Sequence, residues 1–255
     1  MTSRPTTLTI QGATALLTLD DPDRRNILTS AMVRSIDEDV TRAESVPGVN
    51  TLVVTGRGKA FCAGAELSTL EQSAAGDFDD VREVYEGFLR VLRSPLATIA
   101  AVNGPAVGAG LNLALACDVR LASTAARFDT RFAQLRLHPG GGHTWLMERA
   151  VGHQQATLAV LFGERWDAQR AHEVGLVAKV TAPEKLIDEA LALGARLDGI
   201  EGALVRRYVS TLRQAQQTPD HEAIFAAETR AQAWSTTRPA FVEHVRALRE
   251  SISRR

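Results

Sequence analysis

Two rhythms of apolar positions alternate along the first half of the chain. Leu8-Thr-Ile10 and Ala15-Leu-Leu-Thr-Leu19 read as short strands around a Gly12 turn, and Asp20-Asp-Pro-Asp23 breaks the pattern. Met32, Ile36 and Val40 then line one face of a helix capped near Thr29 or Ser30, and Pro47-Gly48 ends it. Thr51-Leu-Val-Val-Thr55 is a buried strand, and Val81, Tyr85, Phe88 and Leu92 mark a second amphipathic helix that Pro95 closes. At this spacing Tyr85 reads as a core aromatic. Ala97–Val102 is the next strand, followed by a Gly-rich turn into a helix around Leu111–Ala116 and a strand over Asp118–Ala122. From Gly142 onward the pattern predicts helices near 143–151, 154–162, 184–197, 203–216, 222–234 and 238–252. Strand–helix units followed by helices predict an α/β core with an α-helical C-terminal region.

Composition narrows the function classes. The 255 residues carry 29 Lys+Arg against 30 Asp+Glu, a formal net charge of −1, which argues against a general binder of nucleic acid or anionic membranes. The most apolar runs, Leu96–Val102 and Leu111–Cys117, are too short to span a bilayer, and Met1–Thr9 has no apolar signal core. Cys62 and Cys117 are the only cysteines and lie outside any metal-ligand spacing, so reduced thiols, a cytoplasmic location and no bound metal are expected.

Two stretches carry the candidate chemistry. Val53-Val-Thr-Gly-Arg-Gly-Lys-Ala-Phe-Cys-Ala-Gly-Ala-Glu-Leu67 runs from a buried strand into a loop of small residues, where a ligand can approach the backbone closely. Ala101-Val-Asn-Gly-Pro-Ala-Val-Gly-Ala-Gly-Leu111 repeats the arrangement and opens a helix, whose first N–H groups have no partner inside it. Two such loops on adjacent strands can aim two N–H donors at one oxygen.

These segments resemble the crotonase superfamily, the enoyl-CoA hydratase/isomerase family. The likeness lies in Ala60-Phe-Cys-Ala-Gly-Ala-Glu-Leu67, Ala101-Val-Asn-Gly-Pro-Ala-Val-Gly-Ala-Gly110 and Cys117-Asp118, and Phe128, Pro139 and Gly142 continue it without a gap. Arg25-Asn26-Ile-Leu28 and Val174-Gly-Leu-Val177 extend it, so that it spans roughly residues 10 to 250. The resemblance implies a ββα spiral core over 1–195 and a C-terminal helical region over 196–255 that serves trimerisation. It implies an acyl-CoA substrate, no cofactor beyond the coenzyme A of that substrate, and a homotrimer or dimer of trimers. Its two oxyanion-hole N–H groups fall on Ala65 and Ala109, where a position commonly Gly gains a methyl group. Ala63, Glu66, Leu67 and Ser68 match the segment lining the coenzyme path, and Arg24, Arg25 and Lys59 suit its phosphates.

The departures matter as much. The two positions at which hydratases of the family carry catalytic glutamates hold Asn112 and Phe132, and a third, acidic in some dienoyl-CoA isomerases, holds Gly140. Asn112 can orient a partner but cannot act as a base, and Phe132 offers only shape and dryness. His138 and His143, bracketing Pro139-Gly-Gly-Gly142, are the natural replacements for the acid–base groups. A shift of register between Phe128 and Pro139 would bring Asp129 or Arg131 to the acyl group instead. Tyr85 lies on the helix that lends a catalytic residue to a dehalogenase branch of the family, with a core aromatic as the favoured reading. A histidine base of ordinary pKa predicts turnover that rises through roughly pH 6–7. Two functional readings follow: an enoyl-CoA hydratase/isomerase-like enzyme with relocated acid–base groups, or a non-catalytic acyl-CoA binder or carrier.

Overall fold

The computed structural model describes residues 4–66, 68, 70–71, 76 and 78–253. The chain divides into two units, Met1–Gly199 and Ile200–Arg255.

In the first unit β1 (Thr6–Gln11) and β2 (Thr14–Leu19) form an antiparallel hairpin, with Leu8 opposite Leu17. Four strands then pair in parallel beside β2: β3 (Thr51–Gly56), β4 (Ala97–Val102), β6 (Val119–Ser123) and β9 (Lys179–Thr181). The resulting order is β1-β2-β3-β4-β6-β9. All six residues of β3 are buried, as expected of a parallel strand covered on both faces. Period-two alternation sorts its side chains. Leu52 and Val54 join Ala100, Val102 and Ala122 in the main core, whereas Val53 joins Ile99, Ala101 and Leu121 on the opposite face.

Helix α1 (Ser30–Ser45) covers the main-core face with Met32, Ile36, Val40 and Ala43, and the Thr29 hydroxyl accepts the Met32 N–H at 3.2 Å as its cap. Helix α2 (Asp79–Leu92) packs beside it through Val81, Val84, Phe88 and Val91. Leu186 and Ala190 of helix α6 (Leu186–Gly194) close the other face.

A second sheet, order β5-β7-β8, gathers β5 (Pro105–Val107), β7 (Arg127–Asp129) and β8 (Trp166–Asp167). After β4 the chain gives β5 and then helix α3 (Ala109–Leu115); after β6 it gives β7 and then helix α4 (His143–Val160). A lone parallel bridge from Cys62 to Ala106 adds the segment after β3 to the same layer. The chain therefore winds as repeated strand–strand–helix turns, an α/β spiral.

The short strands of the second layer, like helix α5 (Ala168–Glu173), are too brief to show periodicity in the sequence. The helices expected near 143–151 and 154–162 run on as α4, broken at Gly152, whose φ of 76° and ψ of 164° are not helical. The single helix expected over 184–197 is instead α6 between two 3-10 turns, Pro183–Lys185 and Ala195–Leu197.

The second unit holds α7 (Gly202–Gln217), α8 (His221–Thr236) and α9 (Pro239–Ser253). Asp220 caps α8 through the Ala223 N–H, and the Trp234 ring is met by the guanidinium groups of Arg207 and Arg238, 4.1 and 5.1 Å from its centre. Among the described residues no helix is long and apolar enough to cross a membrane.

Candidate active site

The two small-residue loops meet where the second sheet begins. The Phe61 and Cys62 N–H groups both reach the Pro105 carbonyl, at 3.1 and 3.2 Å, and the Val107 N–H returns to the Cys62 carbonyl at 3.0 Å. The Leu28 N–H holds the Gly64 carbonyl at 2.8 Å, and the Ala63 N–H holds that of Arg25 at 3.0 Å. Two buried or half-buried amides staple the first loop. Asn26 donates to the carbonyls of Arg57, Ala60 and Phe61 and accepts the Asp21 N–H. Asn103 accepts the Gly56 N–H and donates to the Gly58 and Ala60 carbonyls. Neither amide stands out in the sequence as a staple, because its partners are dispersed carbonyls rather than a motif.

This lacing leaves no room for side chains at the contact. A Cβ on Gly64, whose φ is +99°, would stand 2.6 Å from the Val107 carbonyl oxygen and 3.6 Å from the Ala109 nitrogen. A Cβ on Gly110 would stand 2.1 Å from the Cys62 carbonyl oxygen. Ala65 and Ala109 are each one residue from these contacts, and their N–H groups accordingly lie close together. Among the described residues neither N–H has an acceptor. The Cys62 thiol below them is fully buried, and burial pushes its pKa up to about 12, which keeps it an inert thiol.

One helical turn beyond Ala109, the buried Asn112 reaches across to the turn preceding α4. Its Nδ2 donates to the Gly140 carbonyl at 3.2 Å, and its Oδ1 lies 2.5 Å from His143 Nδ1. The Gly140 oxygen can only accept, so the atom facing it is the amide nitrogen, and the amide oxygen must face the imidazole. His143 Nδ1 therefore carries the proton, and Nε2 presents a lone pair. That Nε2 is buried and has no hydrogen-bond partner among the described residues. The ring packs edge-on against Phe132, with centroids 4.9 Å apart.

Burial pushes the His143 pKa down from 6.5 to about 4, which moves the pH expectation. The imidazole is neutral throughout the physiological range. If it is the base, turnover should be flat from about pH 6 to 8 and fall only toward about pH 4, rather than rise through pH 6–7. Stability follows the same sign. Below about pH 6.5 the unfolded chain takes up a proton that the native imidazole refuses, so acidification favours unfolding. The loss attributable to His143 between pH 6.5 and 4 is about 3 kcal/mol. Urea titrations at pH 7 and pH 4.5, compared with those of His143→Gln, should show it as a pH dependence that the variant lacks.

The other candidate residues are distributed as follows. His138 is exposed, and its Nδ1 lies 2.8 Å from the Pro139 carbonyl, apart from the Asn112–His143 pair. Asp129 is buried but engaged: Arg131 meets it at 2.6 Å and Arg165 at 3.3 Å, so both Asp129 and Arg131 are committed to each other. Arg24 pairs with Asp21 at 2.8 Å and approaches Glu66 at 3.9 Å; Arg25 ends the 3-10 turn Pro22–Arg24 in the left-handed conformation. Arg24, Arg25, Lys59 and Ser68 are exposed, while Ala63 and Glu66 are partly exposed. Leu67 lies outside the described residues. Trp145 stacks under the Arg149 guanidinium at 3.9 Å, and Trp166 is buried.

The sequence profile of the enoyl-CoA hydratase/isomerase family matches residues 9–247. A probable enoyl-CoA hydratase of Mycobacterium tuberculosis is 45% identical over 251 residues, covering 95% of this chain and 96% of that protein. The 2,3-dehydroadipyl-CoA hydratase of Escherichia coli is 36% identical over 203 residues, 79% of each chain. Among solved structures, an enoyl-CoA hydratase subunit of Geobacillus kaustophilus superposes with a TM-score of 0.90 at 28% identity, covering 98% of this chain and 97% of that one.

Proposed function

Because the chain belongs to the enoyl-CoA hydratase/isomerase family of the crotonase superfamily, we propose that it works on an acyl-CoA thioester with an acid–base group of its own. The thioester oxygen sits between the Ala65 and Ala109 N–H groups, and His143 Nε2 moves the proton. The observation that carries this reading is the Asn112–His143 pair: a neutral imidazole in one enforced tautomer, with a buried acceptor nitrogen left unpaired.

The chemistry follows from where charge develops. When a base removes a proton next to a thioester carbonyl, the C–H electron pair moves onto the carbonyl oxygen. Two N–H groups already aimed at that oxygen stabilise the enolate, each by roughly 3–4 kcal/mol at the transition state. A neutral Nε2 accepts the proton and can return it. Asn112, which in this reading stands where hydratases of the family carry a glutamate, acts through His143 by holding its tautomer.

Arg24, Arg25 and Lys59 suit the coenzyme phosphates, and the segment Ala63, Glu66, Leu67 and Ser68 belongs to the coenzyme path in the same reading. The exposed apolar side chains Tyr208, Leu212, Phe225 and Leu248 support an assembly role for the C-terminal helices, as a trimer or dimer of trimers.

The test is mass spectrometry of saturated and 2-enoyl-CoA thioesters incubated with the protein in D₂O. Deuterium at the α-carbon, or a gain of one water by the 2-enoyl substrates, is the expected result. Thioesters that bind, by calorimetry, yet show no mass change would replace the enzyme with an acyl-CoA binder or carrier. That second reading rests on the absence of carboxylates at Asn112, Phe132 and Gly140.

A further inference from the structure

Tyr85 lies on α2 with its ring on the main core, edge-on to Phe78 at 6.5 Å and tilted against Phe88 at 5.8 Å. These two rings set the direction of its phenol. The hydroxyl ends against the backbone of Gly140, where a Cβ would stand only 2.1 Å from the phenol oxygen. On the next residue, a Cβ on Gly141 would stand 2.4 Å from Phe88 Cζ and 3.1 Å from the Tyr85 ring. The turn has no side chains here because Tyr85 and Phe88 occupy the space.

Gly140 is also the residue whose carbonyl accepts the Asn112 amide at 3.2 Å and the His143 N–H at 3.3 Å. One peptide therefore meets three groups from three elements: the Tyr85 hydroxyl from α2, the Asn112 amide from α3 and the His143 backbone N–H from α4, while the same Asn112 amide holds the His143 imidazole through its oxygen. The Tyr85 hydroxyl is delivered to the active-site turn, and among the described residues it makes no hydrogen bond. Desolvation raises its pKa above the ordinary value, so at neutral pH it is an uncharged group able both to donate and to accept.

We propose that Tyr85 is a catalytic residue whose hydroxyl hydrogen-bonds the oxygen added to, or lost from, the acyl chain, while His143 handles that oxygen's proton. This rests on the acyl-CoA reading above and assigns the oxygen-handling half of the site. In the addition direction, one O–H of a water molecule gives its proton to His143 Nε2, and its second O–H donates to the Tyr85 oxygen. The water oxygen bonds to the β-carbon, and the C=C pair shifts to the thioester oxygen between Ala65 and Ala109. The imidazolium then returns a proton to the α-carbon. Tyr85 ends as it began, and the sum is one water added across the double bond. Two uncharged acceptors in this way hold one water without a carboxylate.

Tyr85→Phe keeps the ring that packs on Phe78 and Phe88 and removes only the hydroxyl. Water addition to 2-enoyl-CoA thioesters should fall about tenfold to a hundredfold, whereas α-deuterium exchange into saturated thioesters should stay within about threefold. Equal losses in both reactions, or no loss of water addition, would overturn the assignment. A second measurement is independent of turnover. The chain has two tyrosines, so in Tyr208→Phe protein carrying [13Cζ]tyrosine the single labelled phenol is Tyr85. Its resonance should move on adding butanoyl-CoA and stay in place with coenzyme A alone. An unmoved resonance with bound butanoyl-CoA refutes the inference and leaves the acyl-CoA reading standing. Failure of every thioester to bind refutes both.

Discussion

His143→Gln is expected to lower α-proton exchange and any turnover by about 10²- to 10⁴-fold, with acyl-CoA affinity changed by less than about threefold. The asymmetry between rate and binding follows from what the imidazole touches. Its Nδ1 is spent on Asn112, at 2.5 Å, and its Nε2 is the one atom of the ring left for chemistry. Glutamine can still pair with Asn112 and fill part of the volume beside Phe132, but its amide has no basic lone pair at neutral pH. Rates of deuterium incorporation, set beside calorimetric Kd values for the same saturated thioester, decide the matter. Unchanged exchange in a folded His143→Gln protein would remove His143 from the mechanism.

Ala109→Pro should reduce the rate by at least about 10²- to 10³-fold, because a ring methylene that cannot donate replaces the N–H and stands where the oxygen would sit. Ala109 is the first residue of α3, the position at which proline is best tolerated because the N–H has no helical partner there. The preceding Gly108 has φ 53° and ψ −117°, a conformation open to glycine and free of the α-region clash with a following proline ring. The substitution therefore removes the N–H that the proposed mechanism aims at the thioester oxygen while leaving the helix intact. Circular dichroism should be unchanged, and lost exchange or turnover would then report this donor position rather than unfolding. A folded Ala109→Pro protein of full activity would show that the thioester oxygen binds elsewhere.

The two variants probe different halves of one event. In the proposed mechanism His143 supplies the acceptor for the proton, and Ala65 and Ala109 supply the donors for the charge that the proton leaves behind. Each is worthless to an enolate without the other, so combining the substitutions should cost far less than the product of the single losses.

Much of this architecture is legible in the sequence because it is local. Thr29 before Met32, Ile36 and Val40 announces a capped helix, and the unbroken apolar run Leu52–Val54 announces a strand covered on both faces. The two small-residue loops are equally visible, since close backbone contact demands glycine and alanine wherever it occurs. Hydrophobic period, caps and chain breakers are written in residues that lie next to one another, and they determine the α/β order and the place of the candidate donors.

What decided the chemistry is not local. His138 and His143 look alike in sequence, yet one is exposed against the Pro139 carbonyl and the other is buried against an amide 31 residues away. Asn112 reads as a lost glutamate until its two contacts show that it sets a tautomer. Tyr85 reads as a core aromatic until its hydroxyl is found against Gly140. Asn26 and Asn103, which hold the first loop in place, lie inside the segments that carry the family likeness, yet their stapling role is not legible there because each binds scattered carbonyls. A pKa, a tautomer or an unpaired lone pair is a property of the groups that surround an atom and of the water they exclude. Only tertiary packing assembles those surroundings, so only the folded chain could turn an ordinary turn histidine into a neutral, buried imidazole with an unpaired nitrogen among the described residues.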